Sequence, residues 1–99
     1  MIDIARIDGF DWDAGNARKN ERHGVTQAEA EQVFFDPLLL LAADDKHSRS
    51  EPRLHILGAT AAGRPVHVTF TLRFDGTKIR VIFARDMSRK ERAYYDHKA

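Results

Sequence analysis

The chain changes its hydrophobic period once. Between residues 26 and 38 apolar side chains recur at helical spacing, with Ala30, Val33, Phe34 and Leu38 at i, i+3, i+4 and i+8. From residue 53 onward apolar and polar positions alternate, in "RLHILGAT" (53–60), "VHVTFTL" (66–72) and "KIRVIFAR" (78–85), which predicts three strands. Thr26-x-x-Glu29 opens the helix as a capping box and Pro37 ends it. "LLLLAA" then reads as an extended buried segment and "DDKHSRSEP" as a polar loop. Upstream, Asp13 caps a predicted helix over 14–23, and Gly24 suits its left-handed C-terminal cap. That first helix has almost no apolar face: Asn16, Lys19, Asn20 and His23 line one side of it. A second capping box, Ser88-x-x-Glu91, opens a short basic helix at the C-terminus.

The last two strands carry a testable register. Asp75-Gly76 is a two-residue hairpin signal. With those two as the turn, Thr77 faces Phe74, Ile79 faces Leu72, Val81 faces Phe70 and Phe83 faces Val68, so that apolar residues meet on one face. The other face then pairs Thr71 with Arg80 and Thr69 with Ile82. A turn through "AAGRP" brings Arg53 and His55 near His67, Thr69 and Thr71, giving a basic, hydroxyl-rich second face. The expected architecture is α+β: two N-terminal helices, an antiparallel meander and a C-terminal helix, with helices packed on one sheet face.

Composition narrows the function classes. Ninety-nine residues, 42% hydrophobic and 31% charged, fit one domain over 1–99 with a single core. The absence of cysteine removes disulfides, thiolate metal sites and thiol nucleophiles, and fits a reducing cytoplasm. No basic-then-apolar leader and no membrane-spanning apolar run is expected. The net charge of +1 conceals an asymmetry: residues 1–50 hold six Lys/Arg against ten Asp/Glu, a balance of −4, and residues 51–99 hold ten against five, a balance of +5. A basic half attracts phosphate, although a folded surface reaches the same balance by chance.

The five histidines, His23, His47, His55, His67 and His97, lack the spacing of a metal motif, and no metal or cofactor is expected. There is no glycine-rich phosphate loop and no G-x-S-x-G elbow. What remains is a cluster of cations, Arg80, Arg85, Arg89, Lys90 and Arg92, around the exit of the last strand. Guanidinium groups there suit a phosphodiester and the charge that builds on it during transfer. Trp12 reads more readily as a core anchor than as a base-stacking platform.

In order along the chain, "FDWD", "HGVT", "FFDP", His47 with Glu51 and Arg53, "GR" at 63–64, "IRVI" with "AR" at 84–85, and "ERAYY" resemble the BrnT family of toxin–antitoxin systems. The common family segment reads "KHGV", where this chain has "ERHGV" after a shorter helix. The resemblance implies a fold like the RelE ribonuclease toxins and RNA cleavage without a metal. It also implies neutralisation in a heterotetramer by a BrnA-type ribbon-helix-helix antitoxin, through which alone operator DNA is bound. Residues matching the family pattern include His23, Glu51, Arg53, Arg64, Arg80, Arg85, Glu91, Arg92 and Tyr95. Metal-free transesterification needs a base, a phosphate clamp and an acid. Glu51 or a histidine suits the base, Arg53, Arg80 and Arg85 the clamp, and Tyr95 or His23 a stacking or proton-donating group, with Lys19, Arg64 and Arg92 on the RNA path. The alternative reading is a non-catalytic binding module acting as co-repressor with a DNA-binding partner.

Overall fold

The computed structural model describes residues 6–12, 23–43 and 52–98. Their elements are β1 (Gly9–Phe10), α1 (Gln27–Val33), β2 (Leu40–Ala43), β3 (Leu54–Ala59), β4 (Pro65–Arg73), β5 (Lys78–Asp86) and α2 (Arg89–Lys98). The five strands form one sheet in the order β1-β5-β4-β3-β2, antiparallel except for β1, which runs parallel to β5. The fold is α+β with a mixed sheet, where the sequence predicted a purely antiparallel meander. The first helix expected over 14–23 falls, apart from His23, outside the described residues, as do Asn16, Lys19, Asn20, His47 and Glu51.

The capping box at α1 forms as its spacing requires. Thr26 Oγ1 accepts from the Glu29 N–H at 3.1 Å, and Glu29 Oε1 accepts from the Thr26 N–H at 3.0 Å. Gly24 takes the positive φ expected of it, +73°. From α1, Ala30 and Val33 join Val25 against Leu54, Ile56, Val66, Val68, Phe70, Ile79, Val81 and Ala84 of the sheet. The Phe34 ring stands edge-on to Phe10 at 5.4 Å and to Phe70 at 5.0 Å. Trp12 packs against this core and donates from Nε1 to Glu31 Oε2 at 2.8 Å, which makes it an anchor for α1. Close approach explains Gly58: a Cβ there would lie 2.9 Å from Val33 Cγ1.

Three expectations need correction. The apolar run after Pro37 is not a buried segment: β2 is an edge strand, and Leu38 and Leu41 are about half exposed. A short apolar run cannot itself reveal which side of a sheet it borders. The β4–β5 turn is wider than two residues. Arg73 and Lys78 are the last ladder pair, and the chain reverses over 74–77 with φ of +54° at Phe74, +56° at Asp75 and +84° at Gly76. Thr77 closes this turn, its N–H donating to Arg73 O at 3.1 Å and its hydroxyl to Phe74 O at 2.8 Å.

The third correction builds the site. Near the turn the expected pairs hold: Leu72 with Ile79, Thr71 with Arg80, Phe70 with Val81. A bulge then inserts Ile82, so Thr69 pairs with Phe83, Val68 with Ala84 and His67 with Arg85. Continued without the bulge, the expected register would have set Arg85 opposite Val66, on the core face. The extra residue turns Phe83 and Arg85 to the second face and leaves Val81 and Ala84 in the core.

Candidate active site

The second sheet face carries buried polarity. Thr69 and Thr71 are fully enclosed, and His67 is 8% exposed. Buried polar groups need partners, and each has one. The Thr71 hydroxyl donates to Pro52 O at 2.5 Å. His67 and its neighbours form a continuous network reaching to α2.

The helix cap delivers the carboxylate. Ser88 Oγ accepts from the Glu91 N–H at 3.1 Å and Glu91 Oε1 from the Ser88 N–H at 2.9 Å, completing the capping box predicted from the sequence. The same carboxylate is gripped from two sides by Arg85, NH1 to Oε1 at 2.7 Å and NH2 to Oε2 at 3.0 Å. Its Oε2 also lies 2.7 Å from His67 Nδ1. Burial pushes the Glu91 carboxyl upward, but Arg85, the Ser88 N–H and His67 together outweigh it and hold it at about 2. Burial pushes His67 down, and Arg85 and His55 add to that against the pull of Glu91. His67 is therefore neutral at pH 7, and its contact with Glu91 is a hydrogen bond.

Beyond His67 lie His55 and Thr69. His55 Nδ1 is 3.0 Å from His67 Nε2 and 2.8 Å from Thr69 Oγ1, which in turn is 3.2 Å from His67 Nε2. Phe83 stacks on the His67 ring, centroids 6.0 Å apart, and the exposed His23 ring is 6.2 Å from Phe83, tilted by 48°. A cation, an ionised carboxylate, a buried hydroxyl and two imidazoles thus converge, with a third imidazole at the margin.

The sequence-derived candidates disperse across the molecule. Arg85 is central and His23 marginal. Arg53, half-buried just before β3, has the parity of His55 and belongs to the same face. Arg80 shares that face but pairs with Thr71, four residues along β4 from His67 and about 13 Å away at ~3.3 Å per residue. One carboxylate near it is Asp11, at 3.7 Å. Arg64 is engaged elsewhere: Nε donates to Asp86 Oδ1 at 2.7 Å, and NH1 to Gly24 O at 2.8 Å and Glu29 Oε2 at 3.2 Å. Asp86 and Glu29 raise Arg64 above its ordinary value; Arg64 lowers Asp86 in return, and the Thr26 N–H followed by Arg64 lowers Glu29.

Tyr95 donates to Asp36 Oδ2 at 2.5 Å, while Asp36 also accepts from the N–H groups of Leu38 and Ala59. Burial and the adjacent carboxylate raise the phenol to about 12, so it is a tether between α2 and the end of α1. Arg92 is exposed on α2, 3.8 Å from Asp96. Lys19 and Glu51 lie outside the described residues.

His67, Thr69 and Glu91 were not singled out as site residues by sequence reasoning. The signal was present for two of them, because His and Thr at alternate positions of a central strand imply a polar face needing partners. No group of three or more His, Cys, Asp or Glu able to hold a metal ion occurs among the described residues, and no helix among them is long and apolar enough to cross a membrane.

A family model described as "Ribonuclease toxin, BrnT, of type II toxin-antitoxin system" matches residues 12–91, from Trp12 through the whole β2–β5 sheet to Glu91. Among curated proteins, none matches the chain.

Proposed function

The chain belongs to the BrnT family of ribonuclease toxins from type II toxin–antitoxin systems, and from that premise we propose that it cleaves RNA without a metal ion, at the sheet face carrying Arg85. The observation behind this reading is the Arg85–Glu91–His67 cluster. Rigid cations aimed at developing charge stabilise a pentacoordinate phosphorane far better than mobile ones. Arg85 is rigid because Glu91 grips both of its terminal nitrogens. Glu91 takes two of the five guanidinium N–H groups, the Asp86 carbonyl a third at 3.1 Å, and a fourth is directed at His67 Nδ1 at 2.9 Å. The Nε–H is the donor left for a phosphate oxygen, and the side chain is 34% exposed. Neutral imidazole beside the clamp suits proton transfer from a 2′-hydroxyl. Arg53 extends the positive face along β3, and His23 lies where an unstacked base would meet an aromatic ring.

Attack of the 2′-oxygen on the adjacent phosphorus breaks the bond to the 5′-oxygen, leaving a 2′,3′-cyclic phosphate and a 5′-hydroxyl. Type II membership supplies a protein antitoxin as partner. Our reading extends this to a BrnA-like ribbon-helix-helix protein in a two-plus-two assembly that carries any operator binding. It also extends to a RelE-like arrangement of the complete chain, acting in the cytoplasm. The test is cleavage of a defined RNA by purified, antitoxin-free protein in excess chelator, with end analysis of the products. Cyclic-phosphate ends at an undiminished rate support the reading. Cleavage lost to chelator and restored by a divalent ion overturns metal independence, and a folded protein that binds but never cuts RNA favours the binding-module alternative.

A further inference from the structure

The core face of the sheet is covered unevenly. A groove of about 390 Å³ crosses it past the end of α1, walled by Ile7 and Phe10 at β1, Phe34 and Phe35 after α1, and Leu39 and Leu41 at β2. Leu41 pairs with the buried Ile56 and so shares its face, yet it is 47% exposed, and Phe35 is 77% exposed. Natural proteins guard a sheet edge with charge, proline or a bulge. β2, "LLAA", has none of these, and no described strand lies beyond it. Every second residue of an antiparallel edge strand turns its N–H and C=O outward. β2 therefore offers main-chain hydrogen bonds beside an apolar groove, the two features that an added strand uses.

Charge selects the occupant. Asp8, the charged residue on the groove wall, is met by Lys78 at 2.6 Å, so the groove itself supplies apolar contact. The ends of the strand supply the charge: in sequence β2 is bracketed by Asp36 and by Asp44-Asp45. A second copy of the chain paired to β2 would set carboxylate against carboxylate in either direction. Asp36 would meet Asp36 if the strands ran parallel, and would approach Asp44 and Asp45 if they ran antiparallel. The complementary partner is an extended segment with apolar side chains at alternate positions and Lys or Arg at its ends. Type II membership supplies a protein partner for it.

We propose that β2 and the groove beside it are the docking site of the antitoxin, which adds an extended, basic-ended segment to the β2 edge and seats apolar side chains between Phe35 and Leu41. The inference rests on the antitoxin partner of the reading above, and not on where RNA is cut. The groove lies on the core side of the sheet, whereas Arg85 lies on the second face. Binding to the antitoxin and cleavage of RNA are therefore separable by substitution.

The experiment takes the full chain, its Phe35→Ser and Leu41→Lys variants and the purified cognate antitoxin. Affinity is read by titration calorimetry, and amide hydrogen exchange is followed in the free and bound chain. On binding, wild type should gain protection at alternate amides within β2. Both variants replace exposed side chains and should stay folded, binding the antitoxin on the order of thirtyfold more weakly or worse, the loss of an interface anchor. Without antitoxin they should cleave RNA at the wild-type rate. Folded variants that bind as wild type does overturn the proposal, as does protection confined to β5 and α2. Protection of β2 by dimerisation of the free chain assigns the edge to a second copy, and protection lost on deleting residues 1–5 assigns the groove to the chain's own N-terminus; either overturns it. All of these results leave RNA cleavage standing. A wild type that binds the antitoxin at β2 yet never cuts RNA removes the ribonuclease reading alone.

Discussion

The molecule uses one device twice and gets two different things from it. At α1 and at α2 a capping box fixes a glutamate at the third helical position, and in each case an arginine from the sheet side pairs with it: Arg64, from the turn before β4, with Glu29, and Arg85, from β5, with Glu91. The remaining bonds of Arg64 go to Asp86 and the Gly24 carbonyl, binding a turn, a helix start and a strand end together. The Arg85 pair, about as exposed as the first, adjoins a neutral histidine. The surroundings therefore decide the role: where every neighbour is a carboxylate or a carbonyl the arginine is a brace, and where an imidazole shares the carboxylate the group can do proton chemistry.

The widest separation between the two pairs should come from charge removal. Arg85→Ala is expected to lower RNA cleavage about a hundredfold to a thousandfold, the loss typical of one transition-state donor. It should also cost about 2 kcal/mol of stability, because Glu91 keeps only His67 and its cap. Arg64→Ala is expected to cost about 1–2 kcal/mol through its ion pairs with Glu29 and Asp86 and the bond to Gly24, with cleavage by the folded protein unchanged. Chemical denaturation beside a single-turnover assay reads both.

Acid separates them next. Glu91 is held at about 2 against an ordinary 4.5, so its stabilisation is complete above 4.5 and is lost as pH falls toward 2. His67 is held below its ordinary 6.5, so the unfolded chain binds that proton first and stability starts to decline as pH drops through 6.5. Denaturant midpoints between pH 7 and 4 should therefore fall, and His67→Gln should flatten the upper part of that decline. Glu29→Gln should leave that part unchanged. An identical slope in wild type and His67→Gln would show that the histidine is not held neutral.

Smaller effects test the frame that holds both pairs. Gly76→Val places a β-branched residue at φ +84° and should cost roughly 1 kcal/mol or more, read as a lowered thermal midpoint. Arg92→Ala removes an exposed pair on α2 and should change stability by less than about 0.5 kcal/mol. A larger loss would mean that α2 is held through contacts other than Glu91 and Tyr95.

What the sequence disclosed follows from how local each signal is. Both capping boxes were legible because four adjacent residues encode them, and the alternation of β3 and β4 marks a polar second face. The bulge was not legible. Val81, Ile82 and Phe83 are all apolar, so nothing in "RVIF" marks which residue is extra, and the face of Arg85 hangs on that choice. Gly9–Phe10 is too short to show a period, and the roles of Arg64 and Tyr95 depend on carboxylates 22 to 59 residues away. Of the cations expected around the exit of β5, Arg85 meets Glu91 and His67, while Arg92 lies on α2 near Asp96. Separating braces from chemistry required knowing which partner each one meets.

The most direct test of that separation is to purify Arg85→Ala and Arg64→Ala without antitoxin and confirm by circular dichroism that both are folded at the assay temperature. RNA cleavage is then measured per folded molecule. The account predicts at least a hundredfold loss for Arg85→Ala and a rate within about threefold of wild type for Arg64→Ala, the first being the effect of a transition-state donor. Wild-type cleavage by folded Arg85→Ala, or an equal loss in both variants, would contradict it.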